Sequence, residues 1–90
     1  MEEEKIKALW EAGRQEEAIR MLQDWLAENG QDEQGLLWLG ELIYATGRLS
    51  EALNKFNAVL RLNPENRKAR NYVAMINSIL GYYCKDLLNP

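Results

Sequence analysis

Apolar residues recur along this chain at helical spacing, in stripes separated by short breaks that contain glycine, asparagine or proline. In the middle of the chain Leu36, Leu39, Gly40 and Ile43 fall at i, i+3, i+4 and i+7, the spacing of one helix face. Thr46-Gly47 interrupts that stripe, and Leu49, Ala52, Leu53, Phe56 and Leu60 form the next one. The whole pattern predicts helices over residues 2–12, 15–28, 33–46, 49–62 and 65–80, an all-α chain. With so few residues between stripes, consecutive helices must be antiparallel neighbours. The tail from Tyr82 to Leu88 either forms a sixth turn of helix or packs back on the rest.

The stripes repeat with a period of 34 residues: Gly13-Arg14 returns as Gly47-Arg48, Glu17-Ala18 as Glu51-Ala52, Leu22 as Phe56 and Leu26 as Leu60. Asn29-Gly30 returns as Asn63-Pro64, and Gly81 stands one further period after Gly47. Gly13 and Gly47 fall where a helix ends in a left-handed residue, a conformation glycine adopts without steric penalty. Asn63-Pro64 reads as an N-cap followed by proline at the first helical position. Small residues at Ala18, Gly40 and Ala52 let helix backbones approach closely. A large side chain at any of them is expected to cost on the order of 1–3 kcal/mol by overpacking.

The second unit, Leu36, Leu39-Gly40, Ile43-Tyr44, Gly47, Ala52, Phe56, Leu60 and Pro64, resembles the tetratricopeptide repeat. The first unit resembles it more loosely because its first helix is short, and the third departs from it, with Asp86 at the position of a small alanine. The resemblance implies a single domain over residues 1–90, with repeat one over about 1–32, repeat two over about 33–66 and a terminal helix with tail over 67–90. It implies helix hairpins stacked as a short right-handed superhelix, whose first helices line a concave, partner-binding surface. Family members that grip chaperone C-termini use a clamp of lysines, asparagines and an arginine. The matching positions here are Glu3, Lys7, Trp38, Lys68 and Tyr72, of which Lys68 alone keeps the expected type, so that mode of binding is not expected.

Carried onto this chain, the groove positions are Lys7, Trp10 and Glu11 in the first helix, and Gln34, Leu37, Glu41, Tyr44 and Ala45 in the third. In the fifth they are Lys68, Asn71, Met75, Ser78 and Ile79. Leu37, Trp38 and Tyr44 lie off the stripe of Leu36, Leu39 and Ile43. Such side chains point to a binding surface, although Trp38 and Tyr44 can equally pack against neighbouring helices. The peptide-binding set is therefore Lys7, Trp10, Leu37, Trp38, Glu41, Tyr44, Lys68, Asn71 and Met75. Trp25, at a position usually small, is expected to fill space beside the short first helix. The fifth helix carries apolar residues over more than one stripe. Either the tail covers it, or Tyr72, Ile76, Ile79 and Tyr83 form a two-fold homodimer interface. Two and a half repeats are fewer than the three or so a stable stack needs, which favours such pairing.

Composition removes other classes of function. There is no histidine and only one cysteine, Cys84, so the usual general base and multi-cysteine metal sites are missing. Carboxylates such as Glu16-Glu17 are adjacent on a helix and point apart, which suits solvation better than acid–base chemistry. No enzyme activity, cofactor or metal is expected. A net charge of −3 counts against nucleic-acid binding. The start of the chain lacks the basic and apolar regions of a signal peptide, and no apolar run approaches the ~20 residues that span a bilayer. A cytoplasmic protein without membrane contact is expected, with both ends true chain ends and a protein or peptide as partner. Charge is uneven: Arg61, Arg67, Lys68 and Arg70 face only Glu65 in residues 61–70, while Glu2–Glu4 make the start acidic.

Overall fold

A computed structural model describes residues 2–88, with side chains for residues 2–81. Five helices follow one another: α1 (Glu3–Glu11), α2 (Gln15–Glu28), α3 (Glu33–Ala45), α4 (Leu49–Leu62) and α5 (Arg67–Leu88). Each packs on the next in chain order. The fold is an all-α helical repeat, and no strand occurs among the described residues.

The turns show why the helices stop where they do. Gly13 and Gly47 have φ of 78° and 87°, the left-handed conformation expected of them. At the first, Gly13 N–H donates to the Trp10 carbonyl at 3.0 Å and Arg14 N–H to the Leu9 carbonyl at 2.8 Å, the paired bonds of a Schellman cap. At the second, the Thr46 hydroxyl donates to the Ile43 carbonyl at 2.7 Å, an acceptor it shares with Thr46 N–H at 3.1 Å. Helix α3 starts on Asp32, whose carboxylate accepts from Gly35 N–H at 2.7 Å.

Helix α5 departs from expectation at both ends. Asn63-Pro64 does not begin it; the Asn63 side chain accepts from Glu65 N–H at 3.1 Å and closes a turn. Asn66 is the cap, accepting from Ala69 N–H at 3.0 Å, so α5 begins three residues later than Pro64. Both asparagines also reach back to α3, where Glu33 accepts from the Asn63 amide at 2.9 Å and the Asn66 amide at 2.6 Å. Those two bonds hold the Glu33 carboxyl below the usual carboxylate range. At its other end α5 runs through Gly81 to Leu88 without a turn. Gly81 is followed by Tyr82-Tyr83, not by the arginine that follows Gly13 and Gly47, and it keeps the helical conformation. The tail is thus a continuation of α5 and not a sixth element.

One buried cluster draws on all five helices. Ile6, Ala18, Leu22, Leu42, Ala52, Phe56, Val59, Ala69 and Ile76 are fully buried in it. The small residues do what their positions imply: a Cβ on Gly40 would stand 2.8 Å from Phe56 Cε1. Helix α3 lies between α2 and α4, so its buried surface is wider than one stripe. Leu37 and Leu42 are buried alongside Leu39 and Ile43, whereas Leu36 is half-buried.

Candidate functional site

Positions 7, 41 and 75 are one repeat period apart, as are 10, 44 and 78. A stack built on that period turns these positions of α1, α3 and α5 toward one side. There Lys7, Trp10 and Glu11 of α1, Trp38 and Glu41 of α3, and Lys68 of α5 surround a hollow of about 300 Å³. Five of the nine residues chosen from the sequence for peptide binding thus share one site. The two indoles are half-buried, while Lys7, Glu11 and Lys68 stand exposed around them.

An aromatic cluster is joined to the hollow through Glu41. Tyr72 stacks on Phe56 with ring centroids 4.4 Å apart and an interplanar angle of 4°. Tyr44 meets the Tyr72 ring edge-on, with centroids 5.2 Å apart. The Tyr72 hydroxyl donates to Glu41 at 3.2 Å and fixes that carboxylate at the rim. None of Lys7, Glu11, Glu41 and Lys68 has an ion-pair partner among the described residues. Two cations, two anions and two indoles therefore face an open space of side-chain size, near the lower limit of ligand pockets. Among the described residues no three metal-binding side chains cluster, and no helix is long and apolar enough to cross a membrane.

Burial raises the Tyr72 phenol above its ordinary value, and the Glu41 carboxylate with its hydrogen bond, then Tyr44, push the same way. A raised phenol favours the neutral form in the folded protein. Its contribution to stability is fully present below the unfolded phenol value of about 10 and is lost as pH rises through the higher folded value. Denaturant titrations above about pH 9 should show an alkaline loss of stability that Tyr72→Phe reduces. Equal slopes in the two proteins would refute the assignment.

The remaining sequence choices lie elsewhere. Leu37 is 5% exposed and belongs to the core, because α3 is covered on two sides. Asn71 stands one period after Leu37 but lines a separate hollow on the outer side of α5 with Arg67, Arg70 and Ala74. The same repeat position is covered in the middle of the stack and faces outward in the last helix. Tyr44 lies half-buried beside Tyr72, and Met75, 43% exposed, lies outside the hollow.

The proposed self-association face also changes. Ile76 is fully buried, Tyr72 is held on Phe56 and Glu41, and Ile79 is half-buried. The apolar residues of α5 mostly turn inward, and Arg67, Arg70, Asn71, Ala74, Asn77 and Ser78 face out. The side chains of Tyr83 and Cys84 lie outside the described residues. Trp25 reaches the start of α3, where its ring would lie 3.1 Å from a Cβ on Gly35. It also lines a second hollow, about 690 Å³, between α1 and α2 with Leu9 and Met21. That hollow holds none of the expected groove residues. Its signals in the sequence are Leu9, a period before the buried Ile43, and Trp25, expected beside the short first helix.

Compared with known families, residues 4–67 and 44–77 match the model of the tetratricopeptide repeat. No curated protein matches this sequence.

Proposed function

Since the chain belongs to the tetratricopeptide repeat family, we propose that this protein–protein interaction module binds a peptide segment in the hollow between α1, α3 and α5. The observation that carries this reading is the convergence of Trp10 and Trp38 with four charged side chains that have no ion-pair partner among the described residues. Indoles supply large contact area at low conformational cost, and they dominate interface energetics when water is excluded around them. The balanced charges favour a ligand with an apolar anchor flanked by both an acidic and a basic group. A fully acidic or fully basic segment would meet two like charges. Nothing in the hollow pairs a nucleophile with a base, which supports binding over catalysis.

The test is selection of ligands from a random peptide library on the intact protein, followed by titration against variants. Trp38→Ala and Trp10→Ala should each weaken the selected peptides about 30-fold or more, the effect of losing a hot-spot aromatic. Asn71→Ala, on the outer side of α5, should change nothing. Peptides that bind the tryptophan variants as tightly as the parent would place the binding surface elsewhere.

A further inference from the structure

The two ends of the stack are finished differently. At the far end α5 presents a polar outer face in which Arg67 and Arg70 are exposed, with Glu65, just before the helix, as the one acid beside them. At the near end the hollow between α1 and α2 is left open. Leu9, Met21 and Trp25 are half-buried in it, although Ile43, at the repeat position of Leu9, is 1% exposed. Its rim carries Glu2, Glu17, Asp24 and Glu28 against Arg20. Glu17 is already paired with Arg14 at 2.6 Å, which leaves Glu2, Asp24 and Glu28 as the acids available at this end.

Both sets of charges oppose their own helices. A helix N-terminus favours anions and a C-terminus cations. Yet α5 starts with Arg67, Lys68 and Arg70 and has no acid in its first turn, and α2 ends with Glu28 and has no base in its last turn. Helices α1 and α3 also lack a base in the last turn, so the basic start of α5 is the more distinctive of the two.

We infer that the acidic hollow between α1 and α2 receives the basic outer face of α5 from a second copy of this chain, so that copies associate head to tail. The stems of Arg67 and Arg70 cover Leu9, Met21 and Trp25, as long basic side chains cover apolar surface, and their guanidinium groups reach Asp24 and Glu28. Charge also selects this geometry over a two-fold dimer. Joining α5 to α5 would oppose arginines to arginines, and joining hollow to hollow would oppose acids to acids, while head-to-tail contact opposes unlike charges. A contact between different surfaces does not close on itself at two copies. The hollow between α1, α3 and α5 takes no part, so this inference stands apart from the proposed peptide site.

Two charge-reversed proteins test it: Arg67→Glu with Arg70→Glu, and Asp24→Lys with Glu28→Lys. All four positions are exposed, and the reversals agree better with the helix dipoles, so both proteins should fold, as circular dichroism will verify. Light scattering at low salt should show the parent rising past the mass of a dimer with concentration, and falling back as salt screens the contact. Each reversed protein alone should associate at least about tenfold more weakly. An equimolar mixture should associate again, because each reversed end then meets an opposite charge on the other protein. A parent that stays monomeric, a mass that stops at two copies, or a mixture that stays monomeric overturns the inference.

Discussion

Phe56→Ala is expected to lower the free energy of unfolding by about 3–5 kcal/mol, the range for truncating a buried aromatic. Phe56 is the largest fully buried side chain among the described residues. Its ring packs closely against Gly40 of α3 and stacks on the Tyr72 ring of α5. Three helices therefore meet at one side chain, and removing it leaves a cavity that none can close without moving against the other two. A chain of this length has roughly 5–14 kcal/mol of stability in all, so the variant should lie near its folding threshold. The measurement is a urea titration, with the midpoint displaced and the slope unchanged. The effect should extend to the binding hollow, because Tyr72 loses the surface it stacks on and Glu41 loses a fixed partner. Phe56→Leu should cost clearly less, since it leaves a smaller cavity. A loss below about 1.5 kcal/mol for the alanine variant would mean that the site collapses readily.

The contrast between Leu37 and Asn71 shows what the sequence discloses and what it leaves out. The 34-residue period makes the two positions equivalent, and periodicity alone assigns both to one surface. Whether that surface is covered depends on what lies on either side of the helix. For α3, neighbours on both sides bury Leu37; for α5, the last described helix of the stack, the outer side is open and Asn71 faces water. The same reasoning explains α5 as a whole. Its many apolar residues suggest an unpartnered surface until the helix is placed, when Ala69 and Ile76 prove to face α4 and the core. Local signals fared better where the chemistry is local. The positive φ at Gly13 and Gly47 and the close approach at Gly40 follow from residue type and spacing. The Asn66 cap was hidden because Asn63-Pro64 offers the same chemistry three residues earlier; what separates them is that Asn66 accepts from Ala69 N–H while Asn63 accepts from Glu65 N–H and closes a turn. Five of the nine residues chosen for peptide binding, Lys7, Trp10, Trp38, Glu41 and Lys68, share the hollow for a related reason: their places follow from the repeat frame. The hollow between α1 and α2 was legible only through Leu9 and Trp25, because whether a helix face is covered depends on its neighbours and not on its own residue pattern.

Gly40→Val should destabilise the protein by about 3 kcal/mol or more, and Gly40→Ala should also destabilise it, against the helical preference of alanine. Two effects compete in the alanine variant. Replacing glycine within a helix by alanine gains about 1 kcal/mol of propensity. The new Cβ, however, would stand 2.8 Å from Phe56 Cε1 and 3.0 Å from both Cδ1 and Cζ, shorter than carbon atoms tolerate. A flexible side chain could withdraw, but this ring is fully buried and stacked parallel to Tyr72 at 4.4 Å, which leaves it little room to shift. Relief thus requires α3 to move away from α4, at the on-the-order-of 1–3 kcal/mol typical of overpacked cores, and the steric cost prevails. Valine adds two further methyl carbons and a stiff χ1 in the same space. Thermal or urea unfolding of the two variants measures the order, and Gly40→Ala combined with Phe56→Leu measures the cause. If the ring is what resists, the double variant should lose less than the sum of the two single losses. A Gly40→Ala protein more stable than the parent would instead show that α3 can shift freely, and that the close approach of Gly40 to Phe56 does not hold these helices in register.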